Sequence, residues 1–148
     1  MIRVVSDLDA PALEQIHRSA FGPHGWSEKV FADQLRLPGT WGLIDACGGM
    51  GLARSVVDEA ELLTLAVLPE SRRLGIGGKL LALLLKEAKT RGCTAMFLEV
   101  SERNHVAQAL YGAHGFTQVG KRPRYYENGV DAFIMRALLD APSPRPAS

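Results

Sequence analysis

Leu62-Leu63-Thr64-Leu65-Ala66-Val67-Leu68-Pro69, followed by Glu70-Ser71-Arg72-Arg73-Leu74-Gly75-Ile76-Gly77-Gly78, carries an apolar strand into a glycine-rich turn. Beyond the turn the spacing predicts a long helix from about Gly75 to Arg91. Ile76, Leu80, Leu84 and Ala88 form one stripe of it, and Lys79, Lys86 and Thr90 lie opposite. Gly92 ends it. The run Ala95 to Val100 then reads as a strand buried on both faces, so strand, helix and strand make a βαβ unit whose crossover implies parallel pairing.

Upstream of this unit, Ile2 to Val5 reads as a short strand. Asp7 or Asp9 is expected to cap a helix to about Phe21, with Leu13, Ile16 and Ala20 on one face. Gly22 to Gly25 breaks that helix, and Ser27 opens a second one to about Arg36, ended by Leu37, Pro38 and Gly39. Strands are expected at Trp41 to Ala46, from the Gly48-Gly49 turn to about Val57, and from Leu62 to Leu68, as an antiparallel meander. Downstream, Asn104 to about His114 is helical, Gly115 stops it, and Phe116 to Lys121 and Ala132 to Ala137 are strands. The class is α/β (α+β), with one domain over residues 1–139 and a disordered Pro-, Ser- and Ala-rich tail over 140–148.

Composition limits the function classes. The chain has 148 residues, 47% of them hydrophobic, and 17 basic against 16 acidic residues, a formal net charge of +1. No overall field draws it to nucleic acid or to a membrane surface. No segment reaches the roughly 18 to 20 apolar residues of a membrane span, and the start lacks a basic stretch followed by an apolar run, so a cytoplasmic protein is expected. Cys47 and Cys93 are too few for a disulfide framework and are read as plain thiols, Cys93 buried before its strand. His17, His24, His105 and His114 show no metal-ligand spacing and are read as surface or capping residues.

Two constellations carry chemistry. Between strand and helix, the free amides and positive helix end at Arg72-Arg73-Leu74-Gly75-Ile76-Gly77-Gly78 point the same way. The glycines allow a phosphate close to the backbone, and the two arginines supply charge. Neither common nucleotide fingerprint fits, because Leu80 and Arg73 stand where those motifs require other residues. A tight turn without a ligand remains the alternative reading. The second constellation is Glu99, the sole ionisable residue of its apolar strand, at the C-terminal end where α/β sites gather. A salt bridge to Arg103 or Arg122 is the alternative to a catalytic role. Asn104, Ala107 and Tyr111 fall on one helix face, so Asn104 and Tyr111 can look toward one ligand, although tyrosine so placed is commonly core.

Arg72-x-x-Gly75-x-Gly77 resembles the pyrophosphate loop of the GNAT acetyltransferases, and the strand Leu65-Ala66-Val67 with Pro69 is similar to the family's preceding strand. Within the family, Leu98-Glu99-Val100, Asn104, Ala109-Leu110-Tyr111 and Gly115-Phe116 resemble the bacterial ribosomal-protein alanine N-terminal acetyltransferases. So do Trp26, Ser27 and Phe31, and the block Arg124, Tyr125, Tyr126, Asn128, Gly129, Asp131, Ala132. The likeness runs from about Met1 to Leu139.

The resemblance implies a mixed sheet of about seven strands with flanking helices and a splayed parallel pair, the first strand of the pair bulged. Acetyl-CoA then inserts its pantetheine between them, against Leu65, Ala66 and Val67, with Arg72, Arg73, Leu74, Gly75, Ile76, Gly77 and Gly78 at its phosphates and Asn104 as a further contact. It makes Glu99 the general base, Tyr111 the general acid, and Trp26, Tyr125 and Tyr126 the entrance for a peptide, with no metal. Leu74 and Gly78 depart from the branch, whose members often carry basic side chains there, which leaves more to Arg72, Arg73 and the backbone.

The partner implied is a protein N-terminus, for instance a ribosomal protein beginning with alanine, met by a monomer or weak dimer. Chemistry agrees: an α-amine of pKa about 7.7 to 8.0 costs near 1 kcal/mol to neutralise at pH 7, whereas lysine at about 10.4 costs roughly 4.6 kcal/mol. Modest base assistance from a glutamate therefore suits an α-amine better. A small amine, a lysine side chain, an aminoacyl-tRNA, or a regulatory coenzyme A-binding module remain open alternatives.

Overall fold

Among the residues described by the computed structural model, 1–126 and 129–139, the elements run β1 (Ile2–Val4), α1 (Ala10–Phe21), α2 (Glu28–Arg36), β2 (Thr40–Asp45), β3 (Gly49–Val56), β4 (Glu59–Val67), α3 (Ile76–Thr90), β5 (Ala95–Ser101), α4 (His105–Ala113), β6 (Phe116–Arg122) and β7 (Ala132–Leu138). The expected tail and Asn128 lie outside the described residues. The seven strands form one sheet in the order β1-β2-β3-β4-β5-β7-β6, mixed because only β4 and β5 are parallel.

Local chemistry sets the boundaries. Ser27 accepts the Val30 amide at 3.2 Å and starts α2 where expected. Asp9 occupies the N-cap position of α1 as expected but makes no side-chain cap bond to it, and the side-chain cap is Ser6, one 3₁₀ turn earlier. Its hydroxyl accepts the Leu8 amide while Asp9 reaches back to the Ser6 amide at 2.9 Å, a reciprocal box around a short 3₁₀ turn. Gly75, at φ 77°, supplies the left-handed entry to α3.

Two cores flank the sheet. On one side α3 lays Ile76, Leu80, Leu81, Leu84 and Ala88 on Leu62, Met96 and Leu98, and α4 adds Tyr111. Gly49 and Gly51 permit this approach, since a Cβ at either would come within 2.6 Å of Ile76 Cγ2 or Leu84 Cδ1. On the other side α1 and α2 cover Ile44, Met50, Leu52 and Ala66 with Leu13, Ile16 and Phe31. β5 departs from expectation: Met96, Leu98 and Val100 are buried, whereas Phe97 and Glu99 on its second face are only half-buried. That face is where the site opens.

A bulge positions it. Along the β3–β4 ladder Leu52 faces Thr64 and Ala53 faces Leu62, so Leu63 is a surplus residue on β4. The pleat changes phase there. Ala60 and Leu62 before the bulge, and Leu65 and Val67 after it, contribute to the α3 core, while Leu63 and Ala66 belong to the opposite one. β4 pairs with β5 only through Glu59–Ala95, Ala60–Met96 and Glu61–Phe97. From Leu62 onward its β5-facing edge is unpaired in the sheet, and the parallel pair splays as expected.

Candidate active site

The free edge of β4 runs toward the glycine-rich turn. Leu68 donates its amide to the Gly48 carbonyl at 2.7 Å and the buried Ser71 hydroxyl donates to the Cys47 carbonyl, which ties the end of β4 to the β2–β3 turn. Leu65 and Val67 are half-buried and Ala66 is buried. Arg72, Arg73, Leu74 and Gly75 are exposed, and Arg72 Nε lies 3.3 Å from the Val67 carbonyl it donates to. Arg73 holds a positive φ of 69°, so the chain turns sharply just before the helix.

Gly77 and Gly78 lie in the first turn of α3, where the first intrahelical bond is Lys79 N–H to Gly75 O. The fold itself does not require glycine there. A Cβ at Gly77 would meet Leu110 and Val67 at 3.5 and 3.6 Å, and one at Gly78 would meet His114 at 3.5 Å, all ordinary contacts. Two glycines in a helical turn cost up to about 1 kcal/mol each relative to alanine. Bare amides at a positive helix end, beside two exposed arginines, are the donor set a diphosphate requires, so acetyl-CoA fits this turn.

Glu99 lies on the open face of β5, its side chain 19% exposed. Arg122 on β6 brings Nε to 2.7 Å from Oε2; the angle is outside hydrogen-bonding range, so the contact is an ion pair and Oε2 has no hydrogen-bond donor among the described residues. Of the two arginines considered from sequence, Arg122 is the one that pairs. Its guanidinium also stands 5.4 Å over the Tyr125 ring, and Tyr125 meets Tyr126 edge-on at 5.0 Å. Burial, then the Glu99 carboxylate, raises the pKa of Tyr125. The two tyrosines are carried by a segment clasped by Asp131, which accepts the Arg124 amide at 2.8 Å and pairs with Lys121 at 3.2 Å.

Trp26, Tyr125, Tyr126 and Glu99 line one pocket of ≈ 380 Å³. Gln34, Arg54, Glu61, Leu62 and Leu63 complete it and were not anticipated. Arg54 and Glu61 are cross-strand partners on β3 and β4, an opposite-charge pair that could have flagged them. Tyr111 is not part of this lining. It is buried in the α3 core against Phe116, ring centres 5.7 Å apart, and burial, then Tyr126, pushes its pKa up to about 12. Asn104 caps α4 by accepting the Ala107 amide at 3.1 Å and is exposed. Among the described residues no group of His, Cys, Asp and Glu could hold a metal.

One histidine contradicts the surface-or-cap reading. His17 is 4% exposed, packed among Phe21, Trp26 and Phe31, with both ring nitrogens engaged. Cys93 is buried as expected, Cys47 is exposed, and no helix among the described residues is long and apolar enough to cross a membrane.

Known proteins bear on this geometry. Residues 10–116 match the Acetyltransferase (GNAT) family. A ribosomal protein bS18-alanine N-acetyltransferase from Salmonella typhimurium is 37% identical over 90% of this chain and 94% of its own. The N-alpha-acetyltransferase RimI of Mycobacterium tuberculosis is 33% identical over 96% and 94%. The crystal structure of the Escherichia coli ribosomal-protein alanine N-acetyltransferase superposes with a TM-score of 0.83 at 32% identity, covering 98% of each chain. With its splayed β4–β5 pair, its glycine-rich helix entry and a sequence match over most of its length, the chain belongs to the GNAT acetyltransferase family.

Proposed function

We propose that this protein transfers the acetyl group of acetyl-CoA to the α-amine at the N-terminus of a protein. The observation that carries the reading is the pocket in which Glu99 sits beside Trp26, Tyr125 and Tyr126, next to the unpaired edge of β4. Bound acetyl-CoA would supply the acetyl group as an activated thioester. Glu99 takes the proton of the attacking amine, directly or through a water. Tyr111, its pKa raised to about 12, stays protonated at working pH and donates a proton toward the departing sulfur.

Unpaired backbone groups of Leu65, Ala66 and Val67 bind the pantetheine arm as an added strand would be bound. Arg72, Arg73, Leu74, Gly75, Ile76, Gly77 and Gly78 bind the phosphates, and Asn104 is left an amide donor for the cofactor once its oxygen caps α4. Trp26, Tyr125 and Tyr126 shape the peptide entrance. The likeness to ribosomal-protein alanine N-acetyltransferases makes an alanine-initiated ribosomal N-terminus the first candidate acceptor. The reading takes residues 1–139 as one catalytic domain acting in the cytoplasm, as a monomer or weak dimer, on protein rather than nucleic acid or membrane.

The test is a peptide panel with acetyl-CoA in which the first two residues vary, with an N-terminally blocked peptide and a blocked lysine peptide as controls. Product confined to free α-amines is expected. Equal acetylation of the blocked lysine peptide, or of polyamines, would overturn the assignment.

A further inference from the structure

His17, on α1, is enclosed by three aromatic rings: Phe21 at 4.5 Å, Trp26 stacked at 5.3 Å and Phe31 edge-on at 5.4 Å between centres. In that apolar setting it makes two directional contacts. The Trp26 amide donates to Nδ1 at 2.9 Å, and Nε2 lies 2.8 Å from Thr64 Oγ1. Since Nδ1 accepts, the neutral ring must carry its proton on Nε2 and donate it to Thr64. An imidazolium could not accept the Trp26 amide, so only the neutral ring, in this one tautomer, satisfies both partners. Burial alone draws its pKa down to about 4, which keeps it neutral. Around it Glu14 and Arg18 on α1 pair with each other at 3.1 Å, and Glu14 accepts the Glu28 amide of α2 at 2.7 Å.

One partner is in the wall of the acceptor pocket and the other adjoins that wall. Trp26 lines it, and Thr64 follows Leu63, the bulge residue, which also lines it. We infer that His17 is a positioning residue that fixes the shape of the acceptor pocket by clamping the Trp26 wall to the bulged segment of β4. A residue present only to fill the core would need neither contact, because the three rings with Leu13 and Ile16 already supply apolar packing. The inference rests on the reading that this pocket receives the peptide.

The experiment is steady-state kinetics on a peptide acetylated by the unaltered protein, with Thr64→Val, His17→Gln and His17→Asn. Thr64→Val keeps shape and removes the acceptor. His17→Gln can still donate to Thr64 but does not place an acceptor at the Nδ1 position, whereas His17→Asn keeps that acceptor. Thr64→Val and His17→Gln are expected to raise the peptide KM about five- to tenfold with the acetyl-CoA KM within about twofold, and His17→Asn to recover part of the loss. A peptide KM unchanged by Thr64→Val, or both KM values rising together with a fall in Tm, would overturn the clamp. If the His17 variants fail to fold, Thr64→Val decides alone. If the protein acetylates no α-amine, the functional reading fails, and the clamp is then judged from the imidazole 15N shifts. A proton on Nε2 down to about pH 5 upholds it, and a ring protonated on Nδ1, or titrating near 6.5, overturns it.

Discussion

Arg122 Nε stands 2.7 Å from Glu99 Oε2, yet the arginine side chain is 58% exposed while the glutamate is 19% exposed. An ion pair with one partner so open to solvent is worth at most about 1 kcal/mol, so it does not explain why a carboxylate occupies an apolar strand. The two variants therefore separate. Glu99→Gln is expected to lower kcat/KM about 10²- to 10⁴-fold with little change in Tm, whereas Arg122→Gln keeps most of kcat. Equal losses in steady-state assays of both variants would make the ion pair, and not proton transfer, the purpose of Glu99.

Tyr111→Phe removes one oxygen from a buried side chain that packs on Phe116. A kcat loss of about 10²-fold or more is expected, with the acetyl-CoA KM within about threefold. Because the hydroxyl's pKa is about 12, it should remain a proton donor across the assayable range, and kcat should show no alkaline fall assignable to it below about pH 10. Unchanged turnover would remove Tyr111 from the chemistry.

Gly77→Ala and Gly78→Ala should move stability and cofactor binding in opposite directions. The added methyl meets only ordinary contacts and lies in a helical turn, so each is expected to raise stability by about 0.5 kcal/mol, a Tm gain of about 1–2 °C. The same methyl stands where the diphosphate approaches the amides, and the acetyl-CoA KM should rise about tenfold. Calorimetry with and without coenzyme A checks both signs.

The His17 contacts make folding stability depend on acid. Its folded pKa, about 4, is depressed below the ordinary 6.5, so the unfolded chain binds the proton first as pH falls. The contribution is complete above about pH 6.5, is lost progressively between 6.5 and 4, and amounts to on the order of 3 kcal/mol across that window. Urea titrations at pH 7 and 4.5 should show a larger difference for the unaltered protein than for His17→Gln. Parallel slopes would mean that the ring is solvated.

The stripe on α3, the Ser27 cap and the glycine-rich entry were legible because each is a local pattern with a fixed period or spacing, whereas the splayed pair followed only from the family resemblance. Glu99 was legible for a similar reason, one charge in an apolar strand. His17 was misread because a single polar residue on an amphipathic helix looks like surface until its two partners, from a loop and a strand far along the chain, are brought to it. The half-open face of β5 escaped notice because an unbroken apolar run does not say which face a helix will cover. Arg54 and Glu61 pair between the β3–β4 turn and the bulge and reach the pocket because β4 parts from β5 just after Glu61, which alternation along either strand does not disclose.

That surplus Leu63 makes chain length, rather than residue identity, the critical variable at this point of the sequence. Deleting Leu63 would join Leu62 directly to Thr64 and remove the bulge, and the ladder to β3 would then run unbroken with Leu65 and Val67 still toward α3 and Ala66 still toward α1. A one-residue loss here would leave both compartments lined as they are and straighten the strand just where it parts from its parallel neighbour.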